Sequence, residues 1–298
     1  MWIYLALASA LLLGFYDVSK KVSLRGNAVL PVLYVAAFFS AMLFVPFIIL
    51  SKVSPALDHF LYIQEMTWEQ HLFTFVKSCI VGSSWVLSYY AMRYLPITIV
   101  SPIRATAPLF TLLGAATVLG ERLEPMQWMG VFVTVAFFWR FSKMGRMEKV
   151  NFWGNKWMYC LYLGTMLGAV SGLYDKYLIS HLGMPKNAVQ AWYSLYMLLV
   201  LLPIALLKWW PNRRENKFVF RWSIALIGVC LALSDFTYFY SLSIPESLVA
   251  VVSALRRCSV VVPFLVGVIF LNERRNVLRK LLIICGMLIG VAMIALGS

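Results

Sequence analysis

The stretch Ser253-Ala-Leu-Arg-Arg-Cys-Ser-Val-Val-Val-Pro263 places two adjacent arginines, Arg256 and Arg257, inside an apolar run over residues 248–271. An apolar run of this length is typical of a helix that crosses a membrane. A charged side chain near the middle of a bilayer costs at least about 2.5–3.5 kcal/mol on insertion scales. We therefore expect these arginines to face a partner, a cavity or a substrate.

The composition of the chain indicates the same class of protein. Of its 298 residues, 62% are hydrophobic and 13% are charged, whereas a soluble domain carries roughly 25% charged residues. The formal net charge of +14 comes from Lys and Arg beside the apolar runs, where such residues set orientation in the membrane. We expect an integral, multi-pass membrane protein of the bacterial inner membrane, with no nucleic-acid partner.

The sequence predicts no cofactor and no metal site. The five cysteines lie in apolar segments without CxxC spacing, which is typical of small buried side chains. The histidines are isolated loop residues without ligand spacing around them: His59, His71 and His181. The expected partners are a small-molecule substrate and membrane lipid, and homodimer formation is left open.

Ten apolar segments predict ten membrane-spanning helices. The fourth contains Pro96, Pro102 and Pro108, and because an interior proline removes a backbone hydrogen bond, we do not expect this helix to be straight. The predicted spans are residues 2–18, 30–50, 72–92, 95–119, 126–142, 156–178, 188–208, 221–243, 246–271 and 278–297.

Several motifs occur twice, in the same order, in the two halves of the chain. Gly14-Phe-Tyr-Asp17 matches Gly172-Leu-Tyr-Asp175, Asn27-Ala-Val29 matches Asn187-Ala-Val189, Ser88-Tyr-Tyr90 matches Thr237-Tyr-Phe239, Ser101 and Arg104 match Ser253 and Arg256, and Leu119-Gly-Glu-Arg122 matches Leu271-Asn-Glu-Arg274.

This repetition predicts a duplicated unit of five helices. An odd number of helices forces the second copy into the membrane upside down, as in the inverted repeats of secondary transporters. The predicted fold is therefore an all-α integral membrane protein with ten transmembrane helices in two inverted five-helix repeats. The predicted repeats are residues 1–145 and 146–298.

Ten helices in two halves, with Gly120-Glu-Arg122 and Asn272-Glu-Arg274 after the fourth and ninth spans, resemble the drug/metabolite transporter superfamily of the EamA type. The resemblance covers essentially the whole chain and implies a transporter and not an enzyme. Members move amino acids, drugs, nucleotide sugars or sugar phosphates, so no substrate is implied. Arg256 and Arg257 also look like the basic pair in the ninth helix of plastid sugar-phosphate translocators, which holds the substrate's phosphate.

Arg104 and Arg256 occupy equivalent places in the predicted repeats, so we expect them to face each other across a central cleft. A guanidinium group offers a planar fork of donors that fits a carboxylate or a phosphate. Neighbouring residues of a helix diverge by about 100°, so Arg257 is expected to point elsewhere, into an internal salt bridge. The predicted substrate-binding residues are Arg104, Arg256, Tyr89, Tyr238, Ser101 and Ser253.

A structural interpretation of these charges stays open. Asp17, Asp175 and Asp235 could neutralise the arginines in ion pairs that fix helix packing. Asp17 and Asp175 lie near the ends of their predicted spans, where water reaches them, and are expected to be weaker partners. Asp235 is either the mate of an arginine or a proton-coupling carboxylate.

The leading prediction is a secondary active transporter of a small polar, anionic metabolite that works by alternating access. The alternatives are an exporter of amino acids or amphipathic compounds, and a membrane enzyme or carrier acting on lipid headgroups. The excess of Lys and Arg in the odd-numbered loops predicts that both termini lie outside, whereas the family resemblance implies that both lie inside.

Overall fold

The computed structural model describes residues 2–53, 62–118, 124–147, 154–178, 182–243, 256–272 and 276–296. Every regular element in these ranges is helical. A π-helical turn, Ala205–Trp209, follows α8, and a 3-10 turn, Cys258–Val260, precedes α10. The α-helices are α1 (Trp2–Leu24), α2 (Val29–Val53), α3 (Trp68–Tyr94), α4 (Ile97–Ala105), α5 (Ala107–Val118), α6 (Pro125–Met147), α7 (Lys156–Lys176), α8 (Lys186–Ile204), α9 (Trp222–Ser243), α10 (Val261–Ile269) and α11 (Val277–Leu296).

Five of these helices are long and apolar enough to cross a membrane, and α9 and the segment Cys258–Ile269 add shorter apolar helices. The outer surface is correspondingly apolar. On α6, for example, Trp128, Met129 and Phe132 are exposed, which a protein in water avoids over contiguous patches. The five spans are Trp2–Leu24, Val29–Val53, Trp68–Tyr94, Lys186–Trp209 and Val277–Ile294.

The start of α3 is set by a capping box. The Thr67 side chain accepts a hydrogen bond from the Gln70 backbone N–H, and the Gln70 side chain accepts one from the Thr67 N–H. The helix therefore begins at Trp68 and not at residue 72. His71 lies in its first turn, which corrects the predicted loop position, and His59 and His181 fall outside the described residues.

The predicted fourth span is divided into α4 and α5 at Thr106. Pro102 lies inside α4 and lacks the N–H that would continue the helical ladder. The Thr106 hydroxyl donates a hydrogen bond of 2.6 Å to the Ile103 carbonyl. The prediction that this span is not straight is confirmed.

The helices pack in corresponding pairs. α1 packs on α9 as α7 packs on α3, α2 packs on α9 as α8 packs on α3, α2 meets α8, and α6 meets α11. At the α6–α11 crossing, a Cβ added to Gly130 would lie 2.7 Å from the Gly290 carbonyl oxygen, and one added to Gly290 would lie 2.9 Å from that of Gly130. Only glycine allows this approach, which is common between membrane helices.

The two ends of the helical bundle differ. We call the end that carries residues 25–28 and 210–221 the odd-loop face, and the end that carries residues 62–67 and 182–185 the even-loop face. Polar contacts join the loops of the odd-loop face. The Asn27 amide donates to the Val219 carbonyl at 2.7 Å and accepts from the Val219 N–H at 3.0 Å. Arg221 donates to two carbonyls at the end of α1, both at 2.9 Å.

Candidate functional site

A first cluster of charges lies between α1, α3 and α4. The Asp17 carboxylate pairs with Lys20 at 3.3 Å and with Arg104, which donates a hydrogen bond to it. The Lys20 ammonium also lies 4.4 Å from the ring centroid of Tyr16 and 4.8 Å from that of Tyr89. Two cations thus share one carboxylate, and aromatic faces supply further stabilisation to Lys20.

A second cluster lies between α8, α9 and the segment before α10. Arg256 pairs with Asp235 and donates a hydrogen bond to it, and its guanidinium carbon lies 4.5 Å from the ring centroid of Tyr238. Gln190 of α8 donates to the other oxygen of Asp235 at 3.4 Å. The buried Arg256 Nε has no hydrogen-bond partner in the part of the chain that the structure describes. Among the described residues, this guanidinium therefore has one donor that is not used.

A third pair joins α3 to α7. Lys77 and Asp175 are 2.7 Å apart, and the Lys77 ammonium lies 4.6 Å from the ring centroid of Tyr193 on α8. The Lys77 side chain is 8% exposed, whereas that of Asp175 is 35% exposed. Gln190 and Tyr193 are three residues apart and so share one face of α8. The second and third clusters therefore lie against the same helix face.

An apolar cavity of about 330 Å³ reaches the second cluster. Its walls include Phe44 and Phe47 of α2 and Phe236 of α9, and its polar groups include Gln190 and Asp235. An apolar cavity with a few convergent polar groups is the usual form of a small-molecule site. Asp235 thus joins the buried charges to a space that a ligand can occupy.

A second, more polar cavity of about 560 Å³ adjoins the first at Ile63, which lines both. Its lining includes Ser51 and Lys52 from the end of α2, Glu65, and His71 from the start of α3. These residues belong to the even-loop face. The polar cavity lies at the even-loop face and the apolar cavity contains Asp235, whereas Asn27 joins two loops at the opposite face.

In the structure Arg104 pairs with Asp17, and Arg256 pairs with Asp235. Each of the two equivalent arginines is therefore paired with an aspartate of its own half. Arg256 makes an internal salt bridge, and Arg257 makes none with a described residue, so the salt bridge expected for Arg257 stays a prediction. One detail is corrected. Asp17, expected to be a weaker and wetter partner, is buried with two cations because α1 continues to Leu24 and does not end at residue 18.

The remaining predicted residues are dispersed. Tyr89 is buried beside Lys20, and Tyr238 lies against Arg256. Ser101 is buried in α4, with a hydroxyl that makes no hydrogen bond among the described residues. Asp175 is paired with Lys77 and with no arginine among the described residues, and Ser253 lies outside the described residues.

Sequence reasoning missed Lys20, Lys77, Gln190 and Tyr193. It assigned Lys20 to a loop because it ended the first helix at residue 18, and it counted Lys77 among the loop charges although residue 77 lies within its predicted third span. A signal for Lys20 was available in its spacing of three residues from Asp17, which pairs charges on a continuing helix. Gln190 and Tyr193 carry no comparable signal.

Buried charged clusters inside apolar helices, next to cavities, define a multi-pass integral membrane protein. Residues 1–139 match the EamA-like transporter family. This match covers 139 of the 298 residues, is to a family of the drug/metabolite transporter superfamily, and confirms the resemblance seen in the sequence. Members of the EamA family are membrane transporters of small molecules and not enzymes.

The fold is shared with solved structures. One crystal structure is 15% identical in sequence and has a TM-score of 0.59, over 98% of this chain and 96% of the other. At this identity the likeness shows the fold alone. No curated protein matches the chain.

Proposed function

We propose that the protein is a secondary active transporter of a small molecule that combines an anionic group with an apolar body, and that it works by alternating access. One observation carries the proposal. Asp235, the partner of Arg256, lines a cavity whose walls are mostly apolar. The proposed architecture is ten spans in two inverted repeats, residues 1–145 and 146–298, with membrane lipid around them.

The pairing of helices supports the inverted repeat. Exchanging the halves turns the α1–α9 contact into the α7–α3 contact and the α2–α9 contact into the α8–α3 contact, while α2–α8 and α6–α11 map onto themselves. Any two-fold relation between the halves produces this pattern, and the odd number of helices proposed for each half places the axis in the membrane plane. In transporters built this way, the substrate site lies at the repeat interface near the bilayer midplane.

The chemistry of the second cluster supports an anionic group on the substrate. An incoming carboxylate or phosphate would compete with Asp235 for the Arg256 fork and use the Nε donor that is unpaired among the described residues. The apolar body would pack on Phe44, Phe47 and Phe236. The displaced Asp235 could then bind a proton, or a second substrate could drive the return step by exchange.

The arrangement of the two faces supports alternating access. Asn27 and Arg221 close the odd-loop face, and the cavities lie on the even-loop side. This is the arrangement expected of a state open toward the even-loop face. Transport requires a second state in which the closures are reversed.

Flux through the purified protein in liposomes tests the proposal. Carboxylates and phosphates with apolar bodies are first screened for thermal stabilisation, since a ligand that binds only the folded state raises its stability. Stabilising compounds are then tested for uptake and recovered to check that they are chemically unchanged. Arg256→Gln should reduce uptake at least about tenfold, and Arg213→Gln, in an exposed loop, should not. Retained uptake in Arg256→Gln would refute the anion site.

A second candidate is an exporter of amino acids or amphipathic compounds in which the arginines have only a structural role. It is favoured by the fact that Asp17 and Asp235 already neutralise Arg104 and Arg256. The variant with both Arg256→Gln and Asp235→Asn distinguishes the candidates, because it removes the anion site without leaving an uncompensated charge. Full transport by this variant would favour the second candidate.

The orientation in the membrane stays a prediction, as do homodimer formation and the bacterial inner membrane. The charge count that puts the odd-loop face in the cytoplasm includes Lys21, Arg93 and Arg221, which donate hydrogen bonds to backbone carbonyls at that face. Their positions therefore have a structural cause as well. A reporter fused to Ser298 tests the prediction, since activity of the reporter in the cytoplasm would contradict it.

A further inference from the structure

Equivalent residues of the two halves make different ion pairs. Asp17 and Asp175 are the matching acids of the motif Gly-x-Tyr-Asp, and Arg104 and Arg256 are the matching arginines. In the first half, Asp17 and Arg104 are paired with each other. In the second half, Asp175 and Arg256 are each paired with another residue.

The difference in ion pairing between the halves corresponds to a difference between the two faces of the bundle. Asp17 lies in the last third of α1, which ends at the closed odd-loop face, and its side chain is 11% exposed. Asp175 lies at the end of α7, beside residues 182–185 of the even-loop face, and its side chain is 35% exposed. The arginine–aspartate pair is therefore formed on the closed side and absent on the side that contains the cavities.

We infer that Asp175 is the partner of Arg256 when the even-loop face closes. The inference rests on the proposed transport function, because the two states of an inverted repeat exchange the conformations of its halves. In the second state Arg256 leaves Asp235 and pairs with Asp175, while Arg104 leaves Asp17. Each pair thus acts as the closing contact of one face, and substrate release at Arg256 is linked to closure.

Both acids are held beside neighbouring turns of α8. Asp235 is held by Gln190, and Asp175 is held by Lys77, which lies over Tyr193. Because Gln190 and Tyr193 are three residues apart, the two sites are about 4.5 Å apart along the axis of α8. An axial shift of one helix past another by that amount is within the range of the helix shifts seen in switching.

The exchange leaves no buried charge without a counter-charge in the second half. When Arg256 pairs with Asp175, the groups released are the cation Lys77 and the anion Asp235, which lie against the same face of α8. They can neutralise each other, and Tyr193 continues to contact Lys77. This matters because an uncompensated charge in a low-dielectric interior is strongly unfavourable.

The inference makes opposite predictions for the two members of the Lys77–Asp175 pair. Asp175→Asn removes the partner that closes the even-loop face, so the open state should become more populated. Lys77→Gln removes the competitor of Arg256 for Asp175, so the open state should become less populated. If the pair only held α3 and α7 together, both substitutions would break the same contact and act in the same direction.

Cysteine accessibility measures this population without any substrate. In full-length protein with the five native cysteines replaced by alanine, Ser51→Cys reports the even-loop side, because Ser51 lines the polar cavity. Leu30→Cys reports the odd-loop side, because Leu30 is buried and is the repeat equivalent of Gln190 in the cavity wall. The readout is the ratio of the maleimide labelling rates at position 51 and position 30.

We expect Asp175→Asn to raise this ratio, and Lys77→Gln to lower it, each at least about fivefold, the lower end of typical coupling factors. The exposed residues Glu69 and Lys186 supply the controls Glu69→Gln and Lys186→Gln, which should leave the ratio unchanged. Changes in the same direction, or changes below about twofold, would overturn the inference. If Asp175→Asn fails to fold, the direction for Lys77→Gln alone decides.

The labelling readout separates this inference from the proposed function. If the two variants shift the ratio in opposite directions but no anion is transported, the exchange of partners is supported and the proposed substrate class is rejected. If anions are transported but the two variants do not shift the ratio in opposite directions, the proposed transport function is supported and the exchange of ion-pair partners is rejected.

Discussion

Replacing Asp17 by asparagine removes the one carboxylate that Lys20 and Arg104 share. The Lys20 side chain is 1% exposed and that of Arg104 is 29% exposed, so water replaces the lost partner poorly at the lysine. Breaking a buried ion pair from one side costs about 3–5 kcal/mol. The rings of Tyr16 and Tyr89 still contact the ammonium, so we expect a loss in unfolding free energy near the lower limit, about 3 kcal/mol.

The measurement is denaturant-induced unfolding of the purified protein in detergent, with the free energy extrapolated linearly to zero denaturant. Glu215→Gln supplies the control, because Glu215 is an exposed carboxylate in the loop before α9, and it should change the free energy by less than about 0.5 kcal/mol. Adding Lys20→Met to Asp17→Asn removes the uncompensated cation and should recover at least half of the loss.

A loss below about 1 kcal/mol in Asp17→Asn would place this cluster with solvent-screened surface pairs. It would refute the reasoning that burial makes the carboxylate essential to the two cations. No recovery on adding Lys20→Met would show that the loss has a cause other than the charge of Lys20.

Three further predictions concern helix contacts. Gly290→Val should lower the unfolding free energy by about 1–3 kcal/mol, because the valine side chain would meet the backbone of α6. The control is Gly168→Ala, whose added Cβ would have its nearest neighbouring atom at 3.5 Å. It should have little effect in the same unfolding assay. Asn27→Ala removes two hydrogen bonds to the loop 210–221, and limited trypsin digestion should cleave that loop several times faster. An unchanged cleavage rate would contradict the role given to Asn27. Ser234→Ala removes a 2.8 Å hydrogen bond from α9 to α1 and should cost about 1 kcal/mol; an unchanged unfolding midpoint would contradict this.

The class of protein was predictable from the sequence because hydrophobic length is a direct physical requirement of the bilayer. The same reasoning placed most helices to within a few residues and identified the bent fourth span from its prolines. It failed at helix ends, where polar residues continue a helix inside the protein. α1 extends to Leu24 through Asp17 and Lys20 because these residues satisfy each other, which a hydropathy pattern does not register.

The identity of the charged residues was also predictable, since Arg104, Arg256 and Asp235 stand out in apolar segments. Their pairing was not. Periodicity gives the face of a helix but not the neighbour that a side chain meets across the bundle, so Asp235 could not be assigned to Arg256 before the helices were placed. Gln190 and Tyr193 became relevant only because α8 lies beside both aspartate clusters.

The α6–α11 crossing offers a fixed reference within a protein that is proposed to move. Gly130 and Gly290 bring the two backbones into contact, and this pair of helices maps onto itself when the halves are exchanged. A chemical cross-link across this crossing should therefore leave turnover unimpaired. That makes it a suitable attachment point for an affinity handle, a fluorescent donor or a rigid scaffold for imaging, from which movement of the other helices could be measured.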